Sequence, residues 1–143
     1  MKPQRFLQET DDRHLISSLN GFSAPNNDNR VVLLCRPFVV MSKNTYSTPV
    51  TLPLGLAYLG SVLEKAGYKT KIIDATGDSK PVRIKRSKDK IYNLVGLTSE
   101  EIIDKIDPDT IIFAVSLMFS QEWTMHREFL KKVKKSLPHL IIV

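Results

Sequence analysis

The sequence predicts an α/β domain built on a parallel sheet. Three observations carry this. Apolar runs of strand length alternate with segments of helical periodicity, in the order β-α-β-(insert)-α-β-α-β. The first run, 30–36, is apolar on both faces, as a central parallel strand requires. The segment 53–66 sets Leu52, Leu56, Leu59 and Leu63 at helical spacing and passes through Gly67 straight into a strand pattern at 69–74. Strands alternating with helices call for right-handed crossovers in a parallel sheet.

Each element follows from local chemistry. Residues 1–29 are polar and irregular, with Leu15, Ile16 and Leu19 as a short apolar group, and read as a mobile N-terminal arm. Pro37 ends the first strand, and 37–50 then reads as a long loop. Loops of that length between strand and helix usually carry function. Thr51 suits an N-cap, and Pro53 suits a first turn, where its missing N–H has no intrahelical partner. Gly67 suits the left-handed position that ends a helix. Gly60 and Ser61 keep one helix face thin enough for close approach to a sheet.

Residues 75–97 read as an insertion with an exposed basic hairpin at about 80–95, turning at 87–90. Its lysines and arginines would protect a free edge from pairing. Thr98 and Glu101 form a capping-box pattern, and the helix they open stops at Asp107-Pro108. Residues 110–115 are a third apolar strand, followed by the mixed stretch 116–121. A helix to about Leu137 turns Phe129, Leu130 and Val133 inward and the lysines of 131–135 outward. Pro138 breaks it, and 139–143 reads as a fourth strand with an apolar edge.

Composition bounds the function. The 143 residues fit one domain, with 42% hydrophobic and 25% charged residues. No apolar run is long enough to span a membrane, and the N-terminus has no apolar signal core. With the lone Cys35, this leads us to expect a cytoplasmic protein. The net charge of +6 sits mainly in 80–90 and 131–135, with few aromatics nearby, so solvated faces explain it better than nucleic-acid binding does. Cys35 lies inside an apolar strand, which suits an inert thiol rather than a nucleophile.

The expected architecture is a Rossmann-like or flavodoxin-like three-layer sandwich with strand order 2-1-3-4. Its switch point lies between the first and third strands, where ligands bind above the carboxyl ends. The stretches 37–52 and 116–123 arrive there.

Several segments, taken in order, resemble the N-terminal cobalamin-binding domain of B12-dependent radical SAM enzymes. They are Pro53-Leu-Gly-Leu-Ala-Tyr-Leu59, Glu64-Lys-Ala-Gly-Tyr-Lys-Thr-Lys-Ile-Ile-Asp-Ala75, Val95-Gly-Leu-Thr-Ser-Glu-Glu101, Asp107-Pro-Asp-Thr-Ile-Ile112 and Ser116-Leu-Met-Phe-Ser-Gln121 with Trp123. The resemblance spans about 30–143. It implies a corrinoid lying on the carboxyl ends of the strands, with its nucleotide tail in a pocket. The chain lacks the Asp-x-His-x-x-Gly motif, and His14, His126 and His139 have surface or cap settings, so the resemblance implies cobalamin without a histidine ligand. It implies Thr48, Thr51, Ser116 and Ser120 at the corrin amides, and Leu117, Met118 and Phe119 at the ring or the tail. Leu52, Pro53, Gly55, Asp74 and Trp123 complete the implied cofactor-binding set.

The sequence departs from the family in two ways. It has no Cys-x-x-x-Cys-x-x-Cys motif, so the 4Fe-4S cluster, S-adenosylmethionine and catalysis, expected to be methyl transfer or related radical chemistry, would belong to a radical SAM domain in cis or in trans. It also stops at Val143, where the family continues into a fifth strand, so a fragment or split-off module is expected. Two other classes remain open at this level. One is the N-terminal half of a nucleotide-sugar glycosyltransferase, although Arg36-Pro37 stands where those enzymes carry glycines. The other is a cofactor-free flavodoxin-like interaction module.

Overall fold

A computed structural model describes residues 30–42, 51–78, 84–86 and 92–143. The expected N-terminal arm and the hairpin turn lie outside the described residues, and so does Thr48. The main sheet has four parallel strands: β1 (Val31–Arg36), β3 (Lys69–Asp74), β6 (Thr110–Val115) and β7 (Ile141–Ile142). Their order is β3-β1-β6-β7, which is the expected order of second, first, third and fourth core strands. Helix α1 (Leu54–Lys65) lies on one face; α2 (Ser99–Asp104) and α3 (Trp123–Ser136) supply the other layer. Among the described residues no helix is long and apolar enough to cross a membrane.

The alternation of β1 splits the core in two. Leu33 and Cys35 pack with Phe113, Ile102, Phe129 and Val133 toward α2 and α3. Val32 and Leu34 pack with Leu56 under α1. Cys35 is fully buried, and desolvation, then Asp74 and Asp78, pushes its thiol up to about 12, as an inert core group requires.

The local signals are present as expected. Gly67 has φ of +89°, the Gly67 N–H donates to the Glu64 carbonyl, and the Tyr68 N–H donates to the Leu63 carbonyl. These paired bonds are a Schellman stop. Thr98 and Glu101 form the reciprocal capping box that opens α2. Gly60 is buried where α1 faces the sheet, beside Leu34 and Ile72.

Four expectations are corrected. The stretch 37–50 is not simply a loop, because β2 (Val39–Ser42) lies within it. The hairpin of β4 (Ile84–Arg86) and β5 (Tyr92–Val95) forms, but β5 also pairs with β2, giving a second antiparallel sheet of order β2-β5-β4. Its inner side is not exposed: Val95 is buried, and Val40 and Leu94 pack on the main core. Strand β3, outermost as the order 2-1-3-4 places it, buries Ile73 and exposes Ile72. The apolar face of α1 is only partly covered, since Leu56 is buried but Leu59 and Leu52 are exposed. Thr51 does not cap α1; the N-cap is Pro53, with no side-chain bond.

Candidate functional site

Three strands end together at the switch point. Arg36 closes β1 and Asp74 closes β3, side by side in register. The Arg36 Nε donates to Asp74 Oδ1 and Nη2 donates to Oδ2, each at 2.7 Å. Nη1 of the same guanidinium donates to the Thr51 carbonyl, tying the approach to α1 onto the sheet. Paired charge-assisted bonds of this kind fix orientation as well as adding energy. The ladder continues past the strands: the Ala75 N–H donates to the Arg36 carbonyl at 2.9 Å, and the Ser116 N–H to the Cys35 carbonyl at 2.8 Å.

Beyond these ends lies a cavity of about 300 Å³. Pro37, Phe38 and Val39 form one wall, Ser116, Met118 and Phe119 another. Thr51 and Arg36 stand in its lining with Thr76, and α3 and the 3₁₀ turn before it (Ser120–Glu122) contribute His126 and Glu122. A separate slot of about 380 Å³ runs between α1 and β6, lined by Gly55, Leu56, Leu59, Ala114 and Ser116 among others. Around the two openings several apolar side chains face solvent: Leu52 is 79% exposed, Met118 78%, and Phe119 and Trp123 49% each. Contiguous exposed apolar patches are a common feature of interaction surfaces.

The structure brings some of the implied cofactor-binding residues together. Thr51, Ser116, Met118 and Phe119 share the cavity. Gly55 and Ser116 share the slot. Leu52 and Trp123 are exposed and line neither opening; Ser120 is exposed at the start of the 3₁₀ turn, and Pro53 and Leu117 are half-buried. Asp74 stands at the same strand ends, and both its carboxylate oxygens accept from Arg36.

The reading of His126 is corrected. It is not a surface histidine: it is 1% exposed, with its ring 5.0 Å from that of Phe38. Its Nε2 lies 3.4 Å from Glu122 Oε2, and Glu122 Oε1 accepts the Val40 N–H at 2.8 Å. Glu122 thereby satisfies the outer edge of β2 and holds the imidazole at once. Burial pushes the His126 pKa below its ordinary value of 6.5, against the opposing pull of Glu122. A helical reading could have found it, since His126 precedes Phe129 and Val133 on the inward stripe at i, i+3 and i+7. Glu122 and Thr76 had no comparable signal.

Among the described residues, no three His, Cys, Asp or Glu side chains come together as a metal site. No family model, curated protein or solved structure matches the chain.

Proposed function

We propose that the carboxyl-end face binds a corrinoid, with cobalt unligated by any histidine of this chain, as the cofactor-carrying module of a radical SAM methyltransferase. The observation that carries this reading is the solvent-facing apolar group of Leu52, Met118, Phe119 and Trp123 above a switch-point cavity. A flat amphipathic macrocycle covers such a surface, with its ring on the apolar side chains and its amides at the Ser116 and Thr51 hydroxyls. The slot beside Gly55 offers space for a tail. The described histidines fit the unligated form: His126 is buried against Glu122, and His139 precedes β7 at the opposite end of the sheet. When bound, cobalamin supplies a methyl-carrying cobalt centre. The residues named here hold and orient it and shield it from water. The iron–sulfur cluster and S-adenosylmethionine belong to the proposed partner domain.

Mixing the purified protein with hydroxocobalamin, then recording the visible spectrum after gel filtration, tests this. Co-elution with a spectrum lacking histidine coordination is the expected result. A Cβ at Gly55 meets nothing within 4 Å, so Gly55→Phe should fill the slot without disturbing the fold. It should weaken retention by about tenfold or more, the scale of a blocked subsite. Folded protein that retains no corrinoid would sink the reading.

A further inference from the structure

We propose that the apolar trough on the α1 side of the sheet is covered by the chain's own residues 11–22, docked as a short amphipathic helix over the half of the trough nearest the amino ends of the strands. The trough holds about 410 Å³, and its lining is apolar apart from the Tyr68 hydroxyl. Val32 and Ile112, partners in register on β1 and β6, form its floor at the amino ends. Val62, Leu63, Ala66 and Tyr68 form the wall along and just past the last turn of α1. Val62 is 51% exposed on that wall. The other end of the trough, at Leu59, Ala114 and Val143, merges with the slot beside Gly55 and is left to it. The proposed contact therefore shares no residue with the corrinoid face or with the slot.

Position, reach and pattern name the occupant. The chain enters β1 at this end of the trough. The Val31 N–H donates to the carbonyl of Asp109, in the turn that opens β6, one residue before the floor of Val32 and Ile112. Residues 23–30 span up to about 27 Å when extended, more than the length of about 18 Å that α1 has. In the sequence Leu15, Ile16, Leu19 and Phe22 stand at i, i+1, i+4 and i+7, one apolar face at helical spacing. Thr10 suits an N-cap, Asp11 and Asp12 suit a first turn, and Gly21 suits a left-handed stop. The two strands that α1 leaves uncovered are together about 10 Å across, the width of one helix. A second copy would have to reach this groove from dilute solution. A segment tethered through residues 23–30 is held there at an effective concentration on the order of millimolar.

Hydrogen–deuterium exchange of the full chain, read by mass spectrometry on peptides covering 11–22, tests the assignment. A helix of about ten residues is marginal alone in water, so protection there reports docking. Amides of 14–22 should exchange about tenfold or more slowly than in a synthetic peptide of residues 1–29. Val62→Lys places a charge in the wall while keeping a good helix former in α1, and should return these amides to the peptide rate while those of β1 and α3 stay protected. If Val62→Lys fails to fold by circular dichroism, Ala66→Glu at the C-cap of α1 takes its place. Ile16→Asp should have the same effect from the other side of the contact. Wild-type amides exchanging at the peptide rate would overturn the proposal, as would unchanged protection in any of these variants that folds. Protection that rises with chain concentration would overturn it too, by assigning the trough to a second copy. Ile16→Asp should retain hydroxocobalamin as the wild type does, so the failure of one proposal is distinguishable from that of the other.

Discussion

The two faces of the main sheet are finished to different degrees. Toward α2 and α3, Leu33, Cys35, Phe113, Ile102, Phe129, Val133 and Leu140 form one closed core. Phe129 sits in edge-on contact with both Phe38 and Phe113. Toward α1, the buried cluster among the described residues is smaller: Val32, Leu34 and Leu56, with Gly60 beside them. Leu59, Val62 and Val143 remain exposed there, around a trough that also includes Ile112 and Ala114. Geometry explains the difference. A helix about 10 Å wide covers roughly two strands spaced about 4.8 Å apart. α1 lies over β3 and β1, and among the described residues no helix covers β6 and β7 on that side. Equal hydrophobicity in the sequence thus translates into unequal burial, and the energetic weight of a leucine depends on which face it reaches.

The sharpest way to break this comparison is to truncate one apolar residue on each face. Phe129→Ala should cost about 3–5 kcal/mol of stability in urea unfolding, as for other buried aromatics. Leu59→Ala should stay within about 0.5 kcal/mol, as for exposed positions. Comparable losses at the two sites would show that the α1 face is covered in solution. A smaller effect is expected where the second sheet joins the closed core. Gly96 has φ of +123°, and a Cβ there would lie 2.7 Å from the Ala75 carbonyl oxygen. Gly96→Ala should destabilise by roughly 1–3 kcal/mol, because the backbone itself must shift. An unchanged melting temperature would show that the β5–α2 junction is not fixed against β3.

The smallest effect concerns the polar pair inside the closed face. His126 titrates below its ordinary value of 6.5 in the folded chain, so the unfolded chain binds the extra proton first. Its contribution is fully present above about pH 6.5 and is lost as the pH falls toward the folded value, with a slope of at most about 1.4 kcal/mol per pH unit. Glu122 is the titratable group beside it. Unfolding free energies measured between pH 7.5 and 5 should show this fall, and His126→Phe should remove it. A flat wild-type profile would place the imidazole in contact with water.

Much of the fold was legible because its signals are local. The capping box at Thr98, the stop at Gly67 and the breaks at Pro108 and Pro138 act over a few residues, so their chemistry is complete in the sequence. The apolar runs at β1 and β6 and their alternation with helices were enough to imply the parallel order. The candidate site was legible in outline. Ser116, Met118, Phe119 and Thr51 do line one cavity at the switch point, because the topology alone sends those segments to the carboxyl ends.

Tertiary structure decided the rest, wherever a residue's role depends on a partner far away in the chain. Val39–Ser42 is too short and too irregular to declare itself a strand, and it becomes one by pairing with β5. Asp74 and Arg36, 38 residues apart in sequence, meet because register sets the end of β1 beside the end of β3. His126 read as a surface or cap histidine, and Glu122 carried no signal of its own. Docking of α3 buries both, and the Val40 N–H, 82 residues from Glu122, turns a charged side chain into the cap of a strand edge. Local propensities act through neighbours in sequence and can be read there, whereas burial and long-range hydrogen bonds exist only after the chain has packed.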